Sequence, residues 1–111
     1  MAELPLEMPV DELARRRHAS PGGWPALLDV REPWEVEICR LPDSVNVPLA
    51  SLPGRLDALP RADMLVVLCH HGMRSRQAVQ WLRANRIAHA VNLTGGIDAW
   101  ARLIDPTMRT Y

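Results

Sequence analysis

The sequence contains no phenylalanine, no lysine and a single tyrosine, and it has only two cysteines, Cys39 and Cys69. Without lysine, Schiff-base chemistry and a phosphate loop of the P-loop type are excluded. Two cysteines are too few for a disulfide framework, and a reducing compartment would keep both as thiols. Excess charge is also lacking. Thirteen arginines balance thirteen acidic residues, so no general pull toward nucleic acid or a membrane surface is expected. No stretch approaches the roughly 20 apolar residues of a membrane span. The opening segment MAELPLEMPVDELARRR has no apolar core of signal-peptide length, so a cytoplasmic location is the expectation. With phenylalanine absent, Trp24, Trp34, Trp81 and Trp100 are expected to supply the large aromatic packing units.

What is present is a chain of 111 residues, 48% of them apolar, without repeats, low-complexity tracts or a linker. That length suits one domain over residues 1–111 with a core that needs no staples. PVDELARRRHAS reads as a helix, with Val10, Leu13, Ala14 and His18 on one side and a basic outer face. Pro21, Gly22, Gly23 and Pro25 break the chain. ALLDV (26–30), SVNVPL (44–49), MLVVLC (64–69) and HAVNL (89–93) read as strands. MLVVLC is apolar throughout, as expected for a strand buried on both faces of a parallel sheet. EPWEVEIC (32–39) starts a short helix at Pro33, and SLPGRLDAL (51–59) makes a weak one interrupted by Pro53 and Gly54. Ser75, Ala78, Val79 and Leu82 mark one face of a helix from Arg74 to Asn85, and IDAWARLI makes a last helix stopped by Pro106. Strands alternating with helices at this density predict an α/β fold: three layers, a mostly parallel central sheet of about five strands, and helices on both faces.

In such folds ligands bind beyond the carboxyl ends of the strands. Asp29 and Arg31, Cys69, and Thr94 are placed there. Cys69 is followed by Gly72, which permits a turn with positive φ, and by a helix whose first amides lack partners. A tight loop entering that helix would aim successive N–H groups inward as an anion nest around the sulfur. Such surroundings stabilise a thiolate below the free thiol value of roughly 8.5, and Arg74 and Arg76 add positive charge. A thiolate beside a cradle of amides suits attack on an atom carried by a small oxyanion. The competing reading makes Cys69 a buried small hydrophobe. Cys39, in an ordinary helix with no cationic loop, keeps that plain reading.

Three segments, in order, resemble the rhodanese-like family of single-domain sulfurtransferases over some seventy residues. LLDVREPWEVEICRLPDSVNVPL is similar to its first signature, VVLCHHGMRS to its active-site loop, and VNLTGGIDAW to its C-terminal signature. Here four residues separate Cys69 from Arg74, whereas phosphatases of this architecture and tyrosine phosphatases place five between cysteine and arginine. The shorter loop implies a cradle for a sulfane sulfur rather than a phosphate. The resemblance implies double displacement. Cys69 takes the outer sulfur of thiosulfate or another donor, releases sulfite, and passes a persulfide to cyanide, a cellular thiol or a protein acceptor. It implies no metal and no organic cofactor, no nucleic-acid or membrane partner, and a monomer.

By the same resemblance Cys69 is the nucleophile, and His70, His71, Gly72, Met73, Arg74 and Ser75 form the substrate-binding loop. Asp29 and Arg31 match the family's Asp-x-Arg pair, assigned to structural ion pairing that holds neighbouring loops. Ser75 either finishes the loop near the helix start or faces solvent. The chain departs from the family pattern at His70, where arginine is frequent, and at Arg40 and Asp43, where histidine and glycine are common. Arg86 replaces a helix-ending glycine, so Asn85 is expected to take the left-handed turn. His70 and His71 with Cys69 invite a metal reading, but adjacent residues rarely converge on one ion. They read instead as solvent-facing side chains that gain positive charge as pH falls. Arg15 to Arg17 read as a solvated helix face, with an acidic docking partner as the alternative. Two other functions stand beside sulfur transfer: a non-turnover sulfur carrier or adaptor loaded by a protein donor, and a small phosphatase or arsenate reductase.

Overall fold

A computed structural model of the protein describes residues 4–20 and 25–111. Five parallel strands form one sheet in the order β1-β5-β4-β2-β3: β1 (Glu7–Met8), β2 (Ala26–Asp29), β3 (Val45–Asn46), β4 (Leu65–Leu68) and β5 (Ala90–Leu93). Parallel strands need crossovers, and the α-helices are α1 (Val10–Ala19), α2 (Pro33–Ile38), α3 (Met73–Ala84) and α4 (Gly96–Leu103). Side chains of the central strand alternate between two cores. Val66 and Leu68 join the cluster built with Leu13 of α1 and Ile97 of α4. Leu65, Val67 and the following Cys69 join the cluster built with Ala78, Val79 and Leu82 of α3. The sheet is therefore covered on both faces, and Cys69 emerges on the α3 side.

Register brings the strand ends together. Asp29 lies opposite Leu68 on one side and Asn46 on the other, and Met8 opposite Leu93. The segments that follow Asp29, Leu68 and Leu93 thus leave the sheet at one edge.

Several local expectations need correction. β1 was not among the expected strands, because two residues are too few to show a period; its backbone is tied by Asn92 N–H to Leu6 O and Thr94 N–H to Met8 O. Of residues 44–49 only Val45 and Asn46 form strand, although Val47 N–H and Leu49 N–H still bond to Asp29 O and Val30 O. The weak helix of residues 51–59 is two 3-10 turns, Leu49–Gly54 and Leu56–Ala58, because Pro53 withholds an N–H inside the first. Arg86, not Asn85, takes the left-handed conformation, with φ of 73° against −106° at Asn85. The choice is set one residue later. Ile87 N–H closes on Leu82 O at 2.9 Å, and its side chain packs on the α3-side core, which places Arg86 at the turning position. Asp43, with φ of 66°, also turns left-handed without being glycine.

The described tryptophans do not fill the core. Trp34 is 60% exposed, Trp81 and Trp100 only flank the two clusters, and Trp24 lies outside the described residues, as does the break at residues 21–24. Leucine and valine fill it, because narrow layers between sheet and helices are packed by continuous aliphatic strands. On α1, Val10 and Leu13 are buried whereas His18 is exposed. Its arginines are held within the chain: Arg15 pairs with Asp11, Arg16 with Glu12, and Arg17 donates to the carbonyls of Pro25 and Pro42. No helix among the described residues is long and apolar enough to cross a membrane.

Candidate active site

Leaving β4, the chain turns within four residues into α3, and Gly72 makes this turn with φ of 103°. A Cβ there would press to 3.1 Å from Gly95 N, so both the dihedral and the neighbouring turn call for glycine. Two loop carbonyls are taken by the start of α4: Ile97 N–H donates to Cys69 O at 2.9 Å and Asp98 N–H to His70 O at 3.0 Å. In a trans peptide the N–H points opposite its C=O. Anchoring these carbonyls on α4 therefore turns the N–H groups of His70 and His71 away from it. The approach is close enough that a Cβ on Gly96 would lie 2.5 Å from both carbonyl oxygens, which explains the glycine that opens α4.

Cys69 is only 1% exposed and packs among aliphatic side chains, yet its sulfur has polar partners. Gly72 N–H donates to Sγ at 3.1 Å, and Ser75 Oγ lies 3.3 Å from it. Ser75 is fully buried, which settles its two readings in favour of the loop. Its hydroxyl also meets Oδ1 of Asn92. The Asn92 amide is oriented by donation from Nδ2 to Gly72 O at 3.1 Å and to the Glu7 carboxylate at 3.0 Å. Oδ1 can then only accept. Ser75 has one proton: given to Asn92, it leaves a lone pair for the thiol S–H; turned to sulfur, it joins Gly72 N–H in stabilising a thiolate.

The cationic contribution is smaller than expected. Arg74 is held in a two-pronged pair by buried Glu35 (Nη1–Oε2 and Nη2–Oε1, both 2.7 Å), and Arg76 Nε lies 3.4 Å from Glu7. Carboxylates thus offset both charges, and the main-chain and hydroxyl donors are what address the sulfur directly. Asp29 and Arg31 behave as a structural pair. Arg31, fully buried, donates Nε and Nη2 to the Asp29 carboxylate, Nη2 to Cys39 O and Nη1 to Glu35 O. Burial alone would favour the neutral guanidine, but the bonds to Asp29 and Tyr111 outweigh it and hold Arg31 protonated. Tyr111 completes the bridge, accepting from Arg31 at 3.0 Å and donating to Glu35 at 2.8 Å. Burial pushes its phenol up to about 12, so it keeps the proton that it donates.

Of the other loop residues, Met73 is 81% exposed and His71 is exposed, so both face solvent beside the cradle. His70 does not share that orientation: it is half-buried and stacks on Tyr111 at 3.9 Å, because the ring offers the phenol its apolar face. Thr94 does not reach the sulfur itself; it donates at 2.8 Å to the Glu7 carboxylate that also accepts from Asn92. Glu35, Asn92 and Tyr111 were not anticipated. Glu35 carried one readable signal: with Glu32 it forms a capping box at the start of α2. Nothing local marks Asn92 or Tyr111.

The Arg74 bond holds the Glu35 carboxyl down to about 2, against an ordinary 4.5. A depressed folded-state value means stability fully present above about pH 4.5 and lost as pH falls toward 2. Urea titrations across that window should show a loss on the order of 3 kcal/mol from this carboxyl. Glu35→Gln should be less stable at neutral pH and flatter across the window. An unchanged profile would show that the pair does not brace the loop.

A fully parallel, doubly covered sheet that delivers a central-strand cysteine into a tight loop, with Gly72 N–H donating to its sulfur, defines an α/β protein with a strand-end cysteine site. The Rhodanese-like domain profile matches residues 10–103, and the chain belongs to that family. It is 37% identical over 101 residues to an Arabidopsis thaliana protein named adenylyltransferase and sulfurtransferase MOCS3, covering 77% of this chain but only 22% of that protein. A sulfurtransferase of Allochromatium vinosum is 37% identical over 76 residues, covering 68% of this chain and 71% of its own. Among solved structures, the human single-domain sulfurtransferase TSTD1 superposes with a TM-score of 0.75 at 26% identity, covering 90% of this chain and 98% of its own. The chain spans about a fifth of the length of the adenylyltransferase relatives.

Proposed function

We propose that this protein is a sulfurtransferase in which Cys69 carries sulfane sulfur as a persulfide. The observation that carries the reading is the cradle itself: a Cys69 sulfur receiving Gly72 N–H at 3.1 Å within a loop that reaches Arg74 after only four intervening residues. With thiosulfate as donor, the Cys69 thiolate attacks the outer sulfur. The S–S bond of the donor breaks, sulfite leaves with its electron pair, and the persulfide anion remains on the loop. An acceptor thiolate or cyanide then attacks the outer persulfide sulfur and frees the Cys69 thiolate. Each step conserves charge and needs no redox partner, metal or organic cofactor. Donors already present at sulfur serve both anions, thiolate and persulfide.

Intact-mass measurement after mixing the reduced protein with thiosulfate tests this directly. One added sulfur, located on Cys69 by peptide mapping and removed by cyanide, is the expected result. A carrier role is the second reading, favoured by relatives in which the matching segment is a small part of a larger adenylyltransferase and sulfurtransferase. It would show as loading by a persulfidated protein donor while thiosulfate leaves the mass unchanged. Hydrolysis of an aryl phosphate that disappears on changing Cys69 would overturn both in favour of a phosphatase.

A further inference from the structure

Two neighbouring histidines make a poor metal site unless another element supplies a third ligand, and α4 supplies one. His70, His71 and Asp98 each bring a ligand-capable atom to within 4.8 Å of the other two. Asp98 is not there by chance of a surface side chain, since its N–H donates to His70 O and docks the first turn of α4 on the loop. We propose that His70, His71 and Asp98 form a binding site for one divalent transition-metal ion of the Zn2+, Co2+ or Ni2+ class, on the rim of the cysteine loop. Two imidazoles and a carboxylate, with a fourth position open to solvent, are a donor set that such ions favour over Ca2+ or Mg2+.

The parts need little rearrangement. The His70 ring is held between Tyr111 and His71, with centroids 3.9 Å from each. The Nε2 of His71 is already 3.9 Å from Oδ2 of Asp98. Tetrahedral ligands at ordinary Zn–N and Zn–O lengths stand roughly 3.3 Å apart, a difference that exposed His71 closes by tilting off its stack on His70. Asp98 must share or release Arg102, which bonds Oδ2 at 3.0 Å. That pair is an exposed one along a single helix and is easily exchanged. The site uses no thiol and stands independently of the sulfur-transfer reading.

Titration of the reduced full chain with Co2+, followed by calorimetry and absorption, tests it. One ion per chain is expected, with visible bands of nitrogen and oxygen ligation and no thiolate charge-transfer band. Binding should persist in Cys69→Ser and weaken by about tenfold or more in His71→Gln and in Asp98→Asn. Asp98→Asn keeps the shape of the side chain, and His71 is exposed, so both variants should hold the wild-type circular dichroism. Wild-type affinity in either His71→Gln or Asp98→Asn, loss of binding in Cys69→Ser, or a thiolate charge-transfer band would overturn the proposal.

Discussion

Cys69→Ser is expected to show no sulfur adduct after thiosulfate and to lose transfer to cyanide by about a thousandfold or more. The exchange alters one atom. Serine fits the same seat at the end of β4 and keeps a polar atom where Gly72 N–H and the Ser75 hydroxyl converge. Its alkoxide is far less accessible than a thiolate near neutral pH, and an oxygen nucleophile cannot form a persulfide. Stability should change by less than about 1 kcal/mol, because volume and hydrogen bonding are nearly conserved. A lost activity with an unchanged melting temperature therefore isolates the chemistry from the fold. Turnover at the wild-type rate would remove Cys69 from the mechanism and the proposed function with it.

The largest expected effect on stability is at Asp29, which touches no sulfur. Asp29→Ala removes every carboxylate contact of a fully buried guanidinium: the Nε bonds at 3.0 and 3.1 Å and the Nη2 bond at 2.7 Å. The carbonyls of Glu35 and Cys39 remain, but neither carries charge. Leaving one member of a buried pair uncompensated costs about 3–5 kcal/mol, which for a chain of this size lowers the melting temperature by roughly 10 °C or more. Chemical denaturation read by circular dichroism gives the number. Some loss of sulfur loading should accompany it, since Arg31 reaches the loop through Tyr111, Glu35 and Arg74. Asp29→Asn, which keeps shape and one acceptor, should fall between. A melting temperature within about 2 °C of the wild type would show that the pair is dispensable to the fold.

Much of this protein was legible as text because the relevant physics is local. LVVL announces a strand buried on both faces, and its alternation already assigns Cys69 to the side of Leu65 and Val67. Pro33 marks the start of α2, and Gly72 marks the turn where the chain needs positive φ. Motif spacing placed the cysteine and the loop. Where a local signal competed with distant packing, the local signal failed. Asn85 looked suited to the left-handed position, but burial of Ile87 assigned it to Arg86. Trp34, Trp81 and Trp100 looked like core material, but the layers had space for leucine and valine.

The amino-acid order by itself determined most of the elements, the parallel character of the sheet and the position of Cys69 at the end of β4, because periodicity, proline and glycine act over a few residues. Tertiary structure alone decided what surrounds that cysteine. The strand order β1-β5-β4-β2-β3 brings Glu7 beside Asn92, and folding carries Glu35 to Arg74 across 39 residues of chain and Tyr111 to Glu35 and Arg31 across 76 and 80. No window of sequence contains both partners of such contacts. They follow from which apolar faces pack together, and only then do the polar groups at the strand ends meet.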